Sequence, residues 1–328
     1  MQLDFVLPSS RLSCLRRGAV MVCDAPALFR IEGPGALDCL QGLLTSDLVS
    51  AGDGSLSFGA LLTPKGMIVA DLWVASVGGR YTLLTGAAAH HLVADQLART
   101  LPPRLARVTD LTARGRAAWL LGATAPERLA RATGRPAPGP GRAIAGPTEE
   151  APLIASGTAA APFTMLLVGP EAEVDASLVQ LEQVGGHPGT EADLAATRLL
   201  AGWPTLGREI DEKTLPQEVR FDEIGGVSYV KGCYTGQETV ARVHFRGHVN
   251  RSLRGLVFEG REAPAAGERR LLAGGKEVGT VRTTLALDDR VLALATVRRE
   301  VPEGVSVSAG GRTGRVVSLP FDAAETGF

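Results

Sequence analysis

Strand-like and helix-like periodicities follow one another along this chain without the regular strand, crossover helix, strand succession that a parallel sheet demands. That irregular order confines the fold to the α+β class. At 328 residues the chain exceeds one ordinary compact core, so two or three domains are expected. Its 45% hydrophobic content supplies apolar surface enough to fill them. No repeat of fixed period, no GxGxxG run and no P-loop interrupts the pattern, which removes solenoids, propellers and the common nucleotide folds.

Residues 20–31 read as a strand region, and residues 35–48 as an amphipathic helix with Leu37, Leu40, Leu44 and Leu48 near one face. Strands are expected over 58–62, 67–77 and 81–85, with Gly78-Gly79 as a hairpin turn. Helices are expected over 87–101, stopped by Pro102-Pro103, and over 171–184, stopped by Gly185-Gly186. Residues 135–152, dense in Pro, Gly and Ala, read as an exposed loop or linker that carries no chemistry. The uncharged stretch 151–170 has the length of a membrane span, but its prolines and glycines make it loop and then buried strand. After Arg251 short strands at 253–258, 270–272, 277–287, 291–297 and 305–307 alternate with Gly-rich turns, the spacing of a small antiparallel β domain.

A net charge of −1 provides no global field to hold nucleic acid or an anionic membrane, so neither is an expected direct partner. Residues 1–18 carry three arginines but no continuous apolar core after them, which argues against export and for a cytoplasmic protein. Cys14, Cys23, Cys39 and Cys233 lack metal-type spacing and are expected to be free thiols. His244 and His248 stand four apart, but arginines crowd the same stretch and no fourth ligand is evident, so no metal site is assigned.

Most of the chemical information sits in Lys231-Gly232-Cys233-Tyr234-Thr235-Gly236-Gln237-Glu238. Thr235 and Glu238 have capping-box spacing, so a helix is expected to begin there. Cys233 then lies just ahead of a helix N-terminus and two residues from Lys231, both of which favour thiolate over thiol. On physical grounds this reads equally as a reactive-cysteine environment or as a tight turn in which Cys233 is small apolar filler. Lys231, Arg242, Arg246, Arg251 and Arg254 face one acid, Glu238, over the same stretch, a local positive field suited to a polyanionic tail or to solvent.

KGCYTGQETVAR, residues 231–242, resembles the signature of YgfZ-type folate-binding proteins, iron–sulfur accessory factors related to the glycine-cleavage aminomethyltransferases. The resemblance extends to RLLAGWP at 198–204, LPQE at 215–218, GPGALDCLQGLLTSD at 33–47 and LLTPKGMIVADLWV at 61–74. It implies a three-domain ring enclosing a folate channel, with two interleaved α+β domains over residues 1–248 and an antiparallel β-barrel over 249–328. Tetrahydrofolate is the implied cofactor, held by Glu209, Lys231, Tyr234, Gln237, Arg242 and Trp203. Glu209 corresponds to a carboxylate that meets the pterin donor pair in the transferases. Cys233, Lys231 and Asp71 are the implied chemical groups, with Lys231 holding Cys233 as thiolate.

The implied partners are folate and iron–sulfur client enzymes, tRNA-modifying ones among them. Where the transferases have an acidic pair this chain has Ala70-Asp71, so independent turnover is not expected. The alternative is a folate-dependent aminomethyltransferase or demethylating C1-transfer enzyme in which Asp71 and Glu209 both face the pterin. A third reading, direct tRNA binding, needs the arginines after Lys231 to form one exposed stripe.

Overall fold

The structure, a computed structural model, describes residues 4–326. It is an α+β fold built on three sheets. One is five-stranded, in the order Ser55–Leu62, Ile68–Val77, Arg80–Thr85, Ala27–Glu32, Arg107–Asp110, all pairs antiparallel. A second is six-stranded, in the order His187–Pro188, Val20–Asp24, Gly115–Leu121, Met165–Pro170, Leu153–Ser156, Ala143–Ile144. The chain passes from the second sheet to the first through Ala25-Pro26 and returns through residues 111–114, so these two units are interleaved. The stretch 20–31, expected as one strand region, is therefore two strands in two sheets, divided where Pro26 interrupts the ladder.

The third sheet closes on itself. Strands Lys276–Ala286, Arg270–Ala273, Ser306–Ala309, Arg312–Val317, Arg251–Glu259 and Arg290–Arg298 follow one another, and Lys276–Ala286 also pairs with Arg290–Arg298, completing a six-stranded antiparallel barrel. Leu256, Phe258, Val291, Ala293 and Val316 fill its interior. The N-terminal strand Asp4–Val6 adds to this barrel in parallel with Thr284–Ala286. That addition, the helix Ser9–Arg17 and the last barrel strand Arg312–Val317 were not expected from the sequence.

Other differences have local causes. The helix expected over 35–48 ends at Leu43, because Thr45 is fully buried and locked into the sheet: its amide donates to the Ala60 carbonyl (3.1 Å) and its hydroxyl to that of Gly226 (2.6 Å). Residues 151–170 give two strands rather than one, Leu153–Ser156 and Met165–Pro170, paired as a hairpin. The Gly78-Gly79 turn forms as expected, both residues at positive φ. No helix among the described residues is long and apolar enough to cross a membrane.

Candidate functional site

Alternation along the strand Ile68–Val77 sends Ala70, Leu72 and Val74 into one core and Trp73 and Ala75 into another, which Ile68 joins across the register shift opposite Leu61 and Leu62. Asp71 shares the Trp73 face, and both line a cavity of about 450 Å³ between the two interleaved units. Its walls are aromatic. Trp73 stacks on Trp203 at 5.3 Å and 10°, Phe163 meets the edges of Trp73 (5.0 Å) and Trp119 (4.8 Å), and Phe58 backs the stack at 4.5 Å from Trp203. Cavities of this size and lining, with a few convergent polar groups, are the usual form of small-molecule sites.

The charged residues among its lining are Asp24, Asp71, Glu191, Arg198 and Arg208. Burial raises the Asp71 pKa, opposed by the Arg198 charge. The same burial lowers the Arg198 pKa, opposed by Asp71 and Asp24. No hydrogen bond ties the Arg198 guanidinium to another described residue; its carbon lies 6.0 Å from the Trp119 ring centre. Asp24 accepts from Trp119 Nε1 at 3.3 Å, and Arg208 donates to Glu191 Oε1 at 3.0 Å. A desolvated carboxylate facing an uncommitted guanidinium can match a ligand that presents donors on one edge and an acceptor or anion on another.

Arg198 received no role in the sequence reading, yet a signal was present. It stands four residues after Leu194 on the helix Glu191–Leu200, on the face that Leu194 buries, where an arginine is out of place unless it lines a cavity.

Glu209 is 2% exposed and does not line this cavity. Its carboxylate accepts from the Thr205 amide (3.0 Å) and the Thr283 hydroxyl, fastening the turn at 205–210 to the barrel. Burial raises its pKa, and the Thr283 hydrogen bond opposes this. The folded chain directs the Glu209 carboxylate, expected to meet a pterin, at Thr205 and Thr283 and not into this cavity.

Cys233 is exposed, and the segment around it is braced from beneath. The sequence places Lys231 beside that thiol; the folded chain turns its ammonium inward, where Nζ donates to the carbonyls of Leu44 (2.8 Å) and Ser46 (2.7 Å) and lies 5.2 Å from the Tyr234 ring centre. Burial lowers the Lys231 pKa to about 8, opposed by Asp47. Tyr234 is buried, its hydroxyl has no hydrogen-bond partner among the described residues, and burial pushes its pKa up to about 12.

The helix starts at Gln237 rather than at Thr235, and no capping box forms. Gly236 sits at φ 81°, and the Thr235 amide donates to Gly42, so the extended cap geometry is not available. Gln237 heads this helix and Arg242 projects from it into solvent. The structure thus brings Asp71 and Trp203 together in the cavity, and Lys231, Cys233, Tyr234, Gln237 and Arg242 in a separate segment, with Lys231 and Tyr234 buried and Cys233 and Arg242 exposed. His244 stacks on Tyr229 at 3.7 Å, and no cluster of metal-ligating side chains occurs among the described residues.

Comparison with known proteins agrees with this architecture. A family model for the GCVT N-terminal domain matches residues 15–137. The tRNA-modifying protein YgfZ of Cronobacter sakazakii (strain ATCC BAA-894) is 30% identical over 192 residues, 55% of this chain and 58% of that protein. The tRNA-modifying protein YgfZ of Escherichia coli O6:H1 is 35% identical over 136 residues, 40% of this chain and 42% of its own. The match thus spans about half the length of these curated relatives. Among solved structures, the glycine cleavage system aminomethyltransferase T from Bartonella henselae superposes with a TM-score of 0.83 at 21% identity, covering 95% of this chain and 89% of that one. Residues 15–137 thus match the GCVT N-terminal domain, part of the chain is similar in sequence to proteins named tRNA-modifying protein YgfZ, and the whole has the fold of an aminomethyltransferase T.

Proposed function

We propose that this chain is a cytoplasmic, tetrahydrofolate-binding accessory protein that supports iron–sulfur cluster assembly or repair in client enzymes, tRNA-modifying ones among them, with Cys233 as its functional thiol. Residues 1–248 serve as the folate-binding region and 249–328 as the barrel domain. The observation that carries the folate half is the aromatic cavity in which Asp71 and Arg198 face one space. A pterin edge presents an N–H donor pair that the Asp71 carboxylate can accept, its ring suits the Trp73, Trp119 and Trp203 walls, and Arg198 and Arg208 suit a carbonyl or a glutamate tail. Bound tetrahydrofolate supplies a reduced pterin able to carry one-carbon units. The chain's own residues bind it, orient it and shield it from water.

Cys233 lies on a different surface, exposed and free, which suits a thiol that meets a partner protein. In this reading Lys231 is a positioning residue: it pins the 228–235 segment to the end of the helix Ala36–Leu43. The C1-transfer alternative requires two carboxylates toward the pterin, and the commitment of Glu209 to Thr205 and Thr283 weighs against it. The direct tRNA reading is weakened where Arg251 pairs with Glu218 at 3.1 Å. The test is complementation of a strain lacking the protein. Cys233→Ser is expected to fold and bind tetrahydrofolate but leave iron–sulfur enzyme activity low; full rescue would remove the thiol from the proposal.

A further inference from the structure

A second cleft, of about 260 Å³, opens between the five-stranded and six-stranded sheets, and no residue lines both it and the aromatic cavity. Leu28 on one sheet and Leu153 and Val168 on the other give it apolar walls. Arg30, Arg80 and Arg114 converge on it, with Thr82 beside them. Register explains part of this: Arg30 pairs directly with Thr82, and Glu32 with Arg80, so these side chains share one face of the sheet.

Arg30 is the informative member. Its Nε is buried and has no hydrogen-bond partner, and neither its guanidinium nor that of Arg114 is hydrogen-bonded to any described residue. A buried N–H without an acceptor is a cost that folded chains rarely leave standing. Arg80 is held by Glu149 at 2.6 Å, from the loop at 145–151 that also forms the cleft's rim and carries Glu150, and more loosely by Glu32 at 3.8 Å. Glu149 thus puts a carboxylate against the arginine cluster from the chain itself, and an exposed ion pair of that kind is readily exchanged for another anion.

We infer that this cleft is a second ligand site, separate from the folate cavity, for a small amphipathic anion: a phosphate or carboxylate on an apolar body about one ring in size. The anion replaces Glu149 on Arg80 and supplies acceptors to Arg30 and Arg114, while the ring enters between Leu28, Leu153 and Val168. A cavity of about 150 Å³ already takes benzene, so the space here suits a ring with an anionic head. The loop that the sequence left without chemistry supplies the latch.

The experiment is calorimetric titration of the full chain with phenyl phosphate and with benzoate, phenol serving as the uncharged control. Saturable one-to-one binding of at least one anion and none of phenol is expected, and which anion binds more tightly identifies the preferred head group. Arg114→Ala and Arg30→Gln should each weaken it roughly ten-fold, the size of one lost charge-assisted hydrogen bond. Glu149→Gln should tighten it roughly two- to five-fold, because an internal competitor is removed. Arg114 is exposed, so its variant carries the test even if Arg30→Gln unfolds. Absence of saturable binding in both wild type and Glu149→Gln overturns the site. So does binding that Arg114→Ala leaves unchanged, or that tetrahydrofolate displaces competitively.

Discussion

Replacing Lys231 with Met keeps the aliphatic stem and removes the ammonium that holds the Leu44 and Ser46 carbonyls. Two hydrogen bonds from a charged donor are worth about 1.5–3 kcal/mol each. Against this stands the burial that lowers the lysine pKa from 10.5 to about 8, equivalent to about 3 kcal/mol against the charged form. The difference leaves a net loss of between about zero and 3 kcal/mol at pH 7, read as a lower midpoint in guanidinium unfolding with an unchanged slope. The sign with pH follows from linkage. Between about pH 8 and 10.5 the unfolded chain binds more protons at this site than the folded one, so wild type gains stability relative to Lys231→Met as pH rises through that window. The companion assay is the rate of Cys233 alkylation at pH 7, with Cys14, Cys23 and Cys39 replaced by Ser in every protein compared. If Lys231 is a structural clamp and not a partner of the thiol, that rate stays within about two-fold in the variant. A variant more stable than wild type, or one alkylated several-fold faster or slower at Cys233, refutes the clamp.

Asp71→Asn is expected to be at least as stable as wild type at pH 7. Burial raises the Asp71 pKa, so the folded state binds more protons there than the unfolded one, and its contribution to stability falls as pH rises above the unfolded value; thermal melts from pH 4 to 8 should show the two proteins converging toward acid. Glu209→Gln should keep tetrahydrofolate affinity within about two-fold, while Glu209→Ala costs about 2–4 kcal/mol of stability by leaving the Thr205 amide and Thr283 hydroxyl unpaired; a large affinity loss in Glu209→Gln would return this carboxylate to the ligand. Gly236→Ala should cost about 2 kcal/mol or more, since a Cβ there meets the Thr63 carbonyl at 2.6 Å on a backbone at φ 81°, as equilibrium unfolding would report.

What was legible in the sequence was local. The apolar run at 67–77, broken only by Asp71 and Ser76, and the Gly78-Gly79 pair were enough to place a hairpin, and the barrel strands after Arg251, except Arg312–Val317, lay close to their expected positions. Pairing at long range was not legible: Val20–Asp24 and Ala27–Glu32 are continuous in sequence yet belong to different sheets, and Asp4–Val6 finds its partner 280 residues away. Side-chain direction was the other blind spot. The spacing of Lys231 and Cys233 suggested mutual contact, but a turn between glycines sends one inward and leaves the other at the surface. Glu209 and Arg208 are adjacent, and only Arg208 lines the cavity.

The folate assignment rests on Asp71 and Arg198 facing one aromatic space, and the direct test is calorimetric titration with tetrahydrofolate of wild type, Asp71→Asn and Arg198→Met. Saturable binding to wild type is expected, weakened roughly ten-fold in each variant, about 1.4 kcal/mol for one lost charge-assisted hydrogen bond. Absence of binding by folded wild type, or full affinity in both variants, would contradict the placement of folate in this cavity.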